Sequence, residues 1–475
     1  MNPFTIHAQH GTPRRRSVSH GLICAVILLA AGASPARADT RDLPKELNES
    51  TGVTRADVER ATAKKELSLF DAYALTLGGA EKVAITHEDY VQALARRRQA
   101  IGSFLPRVSL KAQKMFPDND PANRTTYYGT GVNLYARQPI LTGLDEWATL
   151  KLARTDLALK KNRIAESASN LLLDVARAFY RLIQVEKGIA NRETTIALHR
   201  KMLAELNRRV ALGRSRRSEV LRTLSQVAKL EAEIKSQKNE LARARLDFAA
   251  VTNIPAGRDL ADYAHIADPA APVEPKAALA RRWDVKSSER EEELARARLL
   301  AARGGHLPSV YLEGNYRLYQ LHEQGTRDYY FALGAELPIF TGGITSARVS
   351  EAESLVKQAG LRKSLVARTA EQDIADAVQS FESTRGECEA FRKALESAES
   401  NYAVTLNEYR LSLVTILDVI TSLTFLQAAR DDYDRVLLQH RLDRVRLGIA
   451  TGEFNGAGIA VLRDAAVEQK RGEAK

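Results

Sequence analysis

Cysteine, proline and long apolar runs are scarce in this chain of 475 residues. Of the two cysteines, Cys24 lies in an N-terminal apolar stretch; beyond it Cys388 stands alone, so an internal disulfide is excluded. After that stretch there is no run of 18 apolar residues. This excludes a transmembrane helix and leaves a closed β-barrel as the remaining way to cross a bilayer. Proline is absent between Pro139 and Pro255 and again after Pro338, so nothing breaks a helix over either span. The nine histidines are scattered, and no nucleophile–base pair, metal cluster or phosphate loop appears, so the chain reads as a non-enzyme without a cofactor. The first 38 residues carry Arg14, Arg15, Arg16 and Arg37 and no acid, so the net charge of +11 falls to 11 − 4 = +7 without them. A charge that modest does not argue for nucleic acid.

The N-terminus has the parts of a secretory signal peptide. Arg14–Arg16 is a basic leader and Leu22–Ala31 a ten-residue apolar core, too short to span a bilayer. Ala36-Arg37-Ala38 is a small-x-small cleavage site, so residues 1–38 are expected to be removed after Ala38.

The rest of the chain repeats itself. Residues 39–66 are polar and aperiodic and are expected to form a flexible lead-in. A first repeat, 67–252, opens with a helical pattern over Leu67–Ser103, interrupted at Gly78-Gly79 and ended by Phe104-Leu105-Pro106. Alternating hydropathy predicts strands at 107–116 and 127–137, joined by the loop-forming Pro117–Thr126. From Leu171 to Val210 apolar residues recur at strict 3-4 spacing, a narrow coiled-coil seam interrupted by Arg192 and His199. His199 reads as a packed or snorkelling residue. Gly143 to Gly213 is 213 − 143 = 70 residues, about 105 Å if helical. The tip falls near 213, and Ser218–Val251 runs back.

A linker, 253–275, holds four prolines, and a second repeat, 276–452, follows. Leu307-Pro308 echoes Leu105-Pro106 (308 − 106 = 202), and Pro338 echoes Pro139 (338 − 139 = 199). Strands are expected at 309–319 and 329–337, a second tip near 412, and a return helix over Thr415–Leu447. Residues 453–475 are expected to be a disordered tail. In the last strand Tyr329, Phe331, Leu333, Ala335 and Leu337 point one way, and Tyr330, Ala332, Gly334 and Glu336 the other. Eight of the 15 tyrosines fall in the four strands, a density that suits the aromatic girdles of a membrane barrel. Four strands are too few to close alone, and open edges are untenable in lipid, so a barrel shared between chains is expected.

This order of helix, Leu-Pro, hairpin, Pro-Ile-x-Thr-Gly, long helix, tip and return helix, twice over, resembles the TolC-type outer-membrane efflux protein family across roughly residues 67–452. The resemblance implies a mostly α fold with a small β part. It implies a homotrimer with a twelve-stranded β-barrel in outer-membrane lipid, continued by a periplasmic α-helical barrel. The implied function is the exit duct of a tripartite efflux pump or type I secretion system, with a periplasmic adaptor protein and an inner-membrane transporter as partners. The residues leave the cargo open among drug, metal and secreted protein. The rival reading is a periplasmic coiled-coil adaptor or scaffold; such proteins carry one hairpin with lipoyl-like and barrel domains, which are not seen here.

The family's tip motif places a glycine at the turn and an acid six positions later. Gly213 and Glu219 match it in the first repeat; in the second, Asp418 matches and Ser412 replaces the glycine. Tyr409 matches a family tyrosine that helps hold the periplasmic entrance shut. Glu219, Asp418 and Tyr409 are thus the implied entrance residues, although Thr421 stands where some members carry a second acid. Arg208, Arg209, Arg214, Arg216 and Arg217 crowd the first tip, either as a solvated basic turn, as latches to tip acids, or with Gly213 and Ser412 as an adaptor contact.

Overall fold

The computed structural model describes residues 48–49, 51–114, 130–255, 257–261, 273–321, 329–459 and 462–463. The expected signal peptide lies outside these residues. Short α1 (Arg55–Ala63), β1 (Glu66–Leu67) and α2 (Leu69–Leu77) precede α3 (Glu81–Gly102). Strands β2 (Arg107–Lys114) and β3 (Thr130–Thr142) lead into α4 (Asp145–Ala211) and its return helix α5 (Arg217–Thr252). Then come β4 (Asp259–Leu260), α6 (Pro275–Arg281), α7 (Trp283–Gly304), β5 (Ser309–Leu321), β6 (Tyr329–Glu336), α8 (Ile344–Arg410) and α9 (Ile416–Ala450).

The repeat is conformational as well as sequential. Helices α4 and α8 are both 67 residues long, about 100 Å, and α3 and α7 are both 22. The hairpins share a register: Arg107 faces Arg137 in the first, and Ser309 faces Glu336, their counterparts, in the second. Each long helix follows a left-handed pair, Gly143-Leu144 or Gly342-Gly343, that turns the strand into the helix axis. Gly143 is also pressed against Gly304: a Cβ on it would lie 2.1 Å from the Gly304 carbonyl oxygen.

The antiparallel sheet runs β2-β3-β5-β6. One face is apolar and open, with Phe331 77% and Leu333 70% exposed. The other is polar: the Tyr135 hydroxyl donates to Glu313 Oε2 at 2.8 Å, Lys111 sits 4.1 Å over the Tyr135 ring, and Arg137 lies 3.9 Å over Tyr311. Strand β3 continues past 137, the expected end, to Thr142. Strand β5 lies beside it, and a bulge between Pro139 and Leu141 absorbs the missing proline N–H. No helix among the described residues is long and apolar enough to cross a membrane.

The main core sits midway along α4, where Leu172, Val175 and Phe179 meet Tyr73, Phe248, Leu438, Val445 and Phe454. The Tyr73 hydroxyl donates to the Ala168 carbonyl at 3.1 Å. Two expectations are corrected here. From Thr51 the lead-in is packed: Val53 is buried, and Glu66-Leu67 pairs in parallel with Asp259-Leu260 of the linker. The first part of the tail is ordered too, because Phe454 is buried and Glu453 pairs with the buried Arg444 at 2.7 Å. The helix after the linker is broken at Arg282, whose extended backbone lets the guanidinium reach Asp284 (2.7 Å) and Asp373 (3.0 Å).

Candidate functional site

The two hairpin tips share one geometry. In the first, the Gly213 N–H donates to the Val210 carbonyl at 2.9 Å and the Arg214 N–H to the Arg209 carbonyl at 2.8 Å. In the second, Ser412 and Leu413 bond to Tyr409 and Glu408 at 3.0 and 2.9 Å. These are Schellman closures, and they need a left-handed residue at the turn. Gly213 takes φ +71°, and Ser412 takes φ +64° without the glycine.

Both tip acids occupy the third position of the return helix, where the helix dipole favours negative charge. Asp418 forms a capping box with Thr415, accepting from its N–H at 2.8 Å and its hydroxyl at 2.6 Å. The Thr415 hydroxyl bond holds the Asp418 carboxyl below its usual range. In the first tip the cap position is Arg216, which has no acceptor to offer, and Glu219 takes the Ser215 hydroxyl instead. Both carboxylates are thus engaged at their own helix ends, on the tip surface.

Tyr409 is placed differently. It is 8% exposed, in a cluster with Met202 and Leu206 of α4 and Ile416, Val419 and Ile420 of α9. The Arg209 guanidinium lies 4.6 Å from its ring centroid and pairs with Glu205 at 3.0 Å. Burial pushes the Tyr409 phenol up, and Arg209 pulls it the other way. So Arg209 joins the two hairpins through Tyr409, not through Glu219 or Asp418. Arg214, Arg216 and Arg217 are exposed and form no ion pair among the described residues, and beside them Leu212, Leu411 and Leu413 are exposed.

A second link between the hairpins lies farther up. Arg192 of α4 pairs with Glu233 of α5 at 3.3 Å and Asp431 of α9 at 3.2 Å. Asn191 donates to Asp431 and Asp434 at 3.2 and 2.9 Å. Burial raises the Asp431 carboxyl, against the pull of Asn191 and Arg192. The sequence signal was Arg192 at an apolar seam position; its partners are dispersed and carried none. His199 is buried, and that burial lowers its pKa.

The family model described as "Outer membrane efflux protein" matches residues 275–453. The chain is 20% identical over 395 residues to the outer membrane protein TolC of Vibrio cholerae, covering 78% of this chain and 87% of that one. It is 20% identical over 397 residues to TolC of Escherichia coli, covering 78% and 80%. Its fold is that of the outer membrane protein VceC from Vibrio cholerae, with a TM-score of 0.69 at 20% identity over 81% of this chain and 96% of that one. The second repeat thus carries the match to the outer membrane efflux protein family, and the chain shares the fold of an outer membrane protein of solved structure.

Proposed function

We propose that this protein is an outer-membrane exit duct, a passive conduit for substrate leaving through the periplasm and outer membrane. Three copies would each give four strands to a twelve-stranded barrel and their long helices to a periplasmic tunnel. The observation that carries this reading is the sheet: apolar on one face, polar on the other, and ending, among the described residues, in two unpaired edges. An open edge in lipid leaves backbone groups unsatisfied at several kcal/mol each, so the sheet must close against further copies. The apolar face then meets lipid and the polar face water. A soluble scaffold has no use for such a face.

The tips would be the periplasmic entrance. The exposed Arg214, Arg216 and Arg217, with the leucines beside them, suit contact with an adaptor's helical hairpin, which would link the duct to an inner-membrane transporter. Glu219 and Asp418, repeated three times, would concentrate cations there. After loss of residues 1–38 the chain should fractionate with the outer membrane and conduct ions in planar bilayers. Recovery in the soluble periplasmic fraction, with no conductance, would overturn the reading.

A further inference from the structure

One cavity between the helices holds groups that no described residue satisfies. It measures about 530 Å³ and is lined from α3, α4, α7 and α8. Ile164, Ala168, Leu172 and Val175 of α4 pack into the main core. At 3.6 residues per turn Glu166 and Asn170 fall on the opposite side of that helix, and both line the cavity. Ser287 of α7 lines it as well. Ser287 is 6% exposed, and its hydroxyl has no hydrogen-bond partner among the described residues. A buried polar group in that state is costly to keep, because it has given up water for nothing.

The charges around the cavity pair off, with one left over. Lys82 of α3 stands 3.6 Å from Asp174 of α4, Arg163 of α4 is 2.6 Å from Glu291 of α7, and Arg282 is 2.7 Å from Asp284 of α7. Helix α8 brings only the uncharged Val366. Glu166 forms neither a hydrogen bond nor an ion pair among the described residues. Burial, and then the Asp284 charge, raise its carboxyl against the pull of Arg163. Helix packing does not ask for these groups. By the offsets of the repeat the counterparts of Glu166 and Ser287 are Leu365 (166 + 199 = 365) and Ile85 (287 − 202 = 85), both apolar.

We propose that this cavity binds an organic monocation through a primary ammonium group, which donates to the Glu166 carboxylate and the Ser287 hydroxyl oxygen while its carbon body lies against Leu171 and Val366. As cargo of the duct this cation rests on the duct reading; as a ligand it needs only the cavity of a single chain. The sign follows from the lining: four acids and two bases leave it negative, which disfavours an anion. The charge number follows from the single unpaired carboxylate. A divalent metal ion takes about six oxygen ligands, and no group of three Asp, Glu, His or Cys placed to hold one occurs among the described residues. An ammonium group has N–H donors and no acceptor, so it answers both a carboxylate and a hydroxyl oxygen.

The test uses the full chain purified in detergent and two fluorescent probes that share a dansyl group. Dansylcadaverine ends in a primary ammonium; dansylamide does not. Anisotropy titrations should show saturable binding of dansylcadaverine, one site per chain, and no binding of dansylamide. Glu166→Gln should weaken binding by about tenfold or more and Ser287→Ala by about threefold, each at wild-type helical content. Glu351→Gln, which removes an exposed acid elsewhere on α8, should bind as wild type does. Equal binding of the two probes, or wild-type affinity in Glu166→Gln, would overturn the site. If the variants fail to fold, the comparison of the two probes on wild type decides. Wild-type conductance in planar bilayers tests the duct separately. A chain that conducts without binding dansylcadaverine overturns the site and keeps the duct; one that binds it without conducting keeps the site and overturns its use for cargo.

Discussion

The Arg209 guanidinium lies 4.6 Å from the centre of the Tyr409 ring, so an arginine of the first hairpin holds the buried end of the second. A cation over an aromatic face is worth about 0.5–2 kcal/mol, depending on how dry it is. Arg209→Ala and Tyr409→Ala should loosen the tips and raise single-channel conductance in planar bilayers. Tyr409→Phe keeps the ring and should do less. Conductance unchanged in both alanine variants would show that this contact does not hold the entrance.

The cap on the second tip is expected to depend on pH. The Thr415 hydroxyl holds the Asp418 carboxyl low, so its contribution is fully present above the unfolded carboxylate pKa of about 3.9. It is lost as pH falls through the lower folded value. Protection of the Ile416–Val419 amides, taken relative to their intrinsic exchange rates, should therefore fall in acid in the wild type, and Asp418→Asn should remove most of that dependence. Asp418→Ala should also lower cation preference, read as the reversal potential under a salt gradient.

The Arg192 node should behave with the opposite sign. Arg192→Leu leaves Asp431 half-buried without its cation, at a cost of about 1–3 kcal/mol at neutral pH. Because burial raises the Asp431 carboxyl, the folded chain holds the proton more tightly, and stability falls as pH rises through the folded value. The thermal midpoint deficit of Arg192→Leu should therefore shrink on acidification. A deficit independent of pH would remove Asp431 from the explanation.

Phe454 packs onto Gly448, where a Cβ would lie 2.3 Å from the ring. Phe454→Ala should cost about 3–5 kcal/mol by opening a cavity, and Gly448→Leu should displace the same ring. Both should appear as earlier thermal unfolding. A tail that contributes nothing to the fold would leave the midpoint in place.

On the sheet, Leu333→Arg puts a charge on the face assigned to lipid, at about 2–4 kcal/mol if it lies near the midplane. Outer-membrane yield should drop. Wild-type yield would mean that the faces are reversed.

Periodicity by itself determined the elements of this protein, because period 3.6 and period 2 are local properties of a chain. Residues 171–210 are a seam whatever packs on it, and Tyr329–Leu337 is two-faced whatever faces it. The tip residues were legible in another way, because the family resemblance, not the periodicity, implied Gly213, Glu219, Tyr409 and Asp418. Their uses were not, since a partner is a matter of neighbours in space. Only the tertiary structure decided that Asp418 closes a capping box with Thr415, that Arg209 reaches Tyr409, and that Arg192 meets Asp431. It also carried β3 through Pro139 and packed the segments at Val53 and Phe454, which lack a period of their own. A short stretch without periodicity is ordered by the surface that receives it: nearby Gly448 for Phe454, and Asp259-Leu260 of the linker, 259 − 66 = 193 positions on, for Glu66-Leu67.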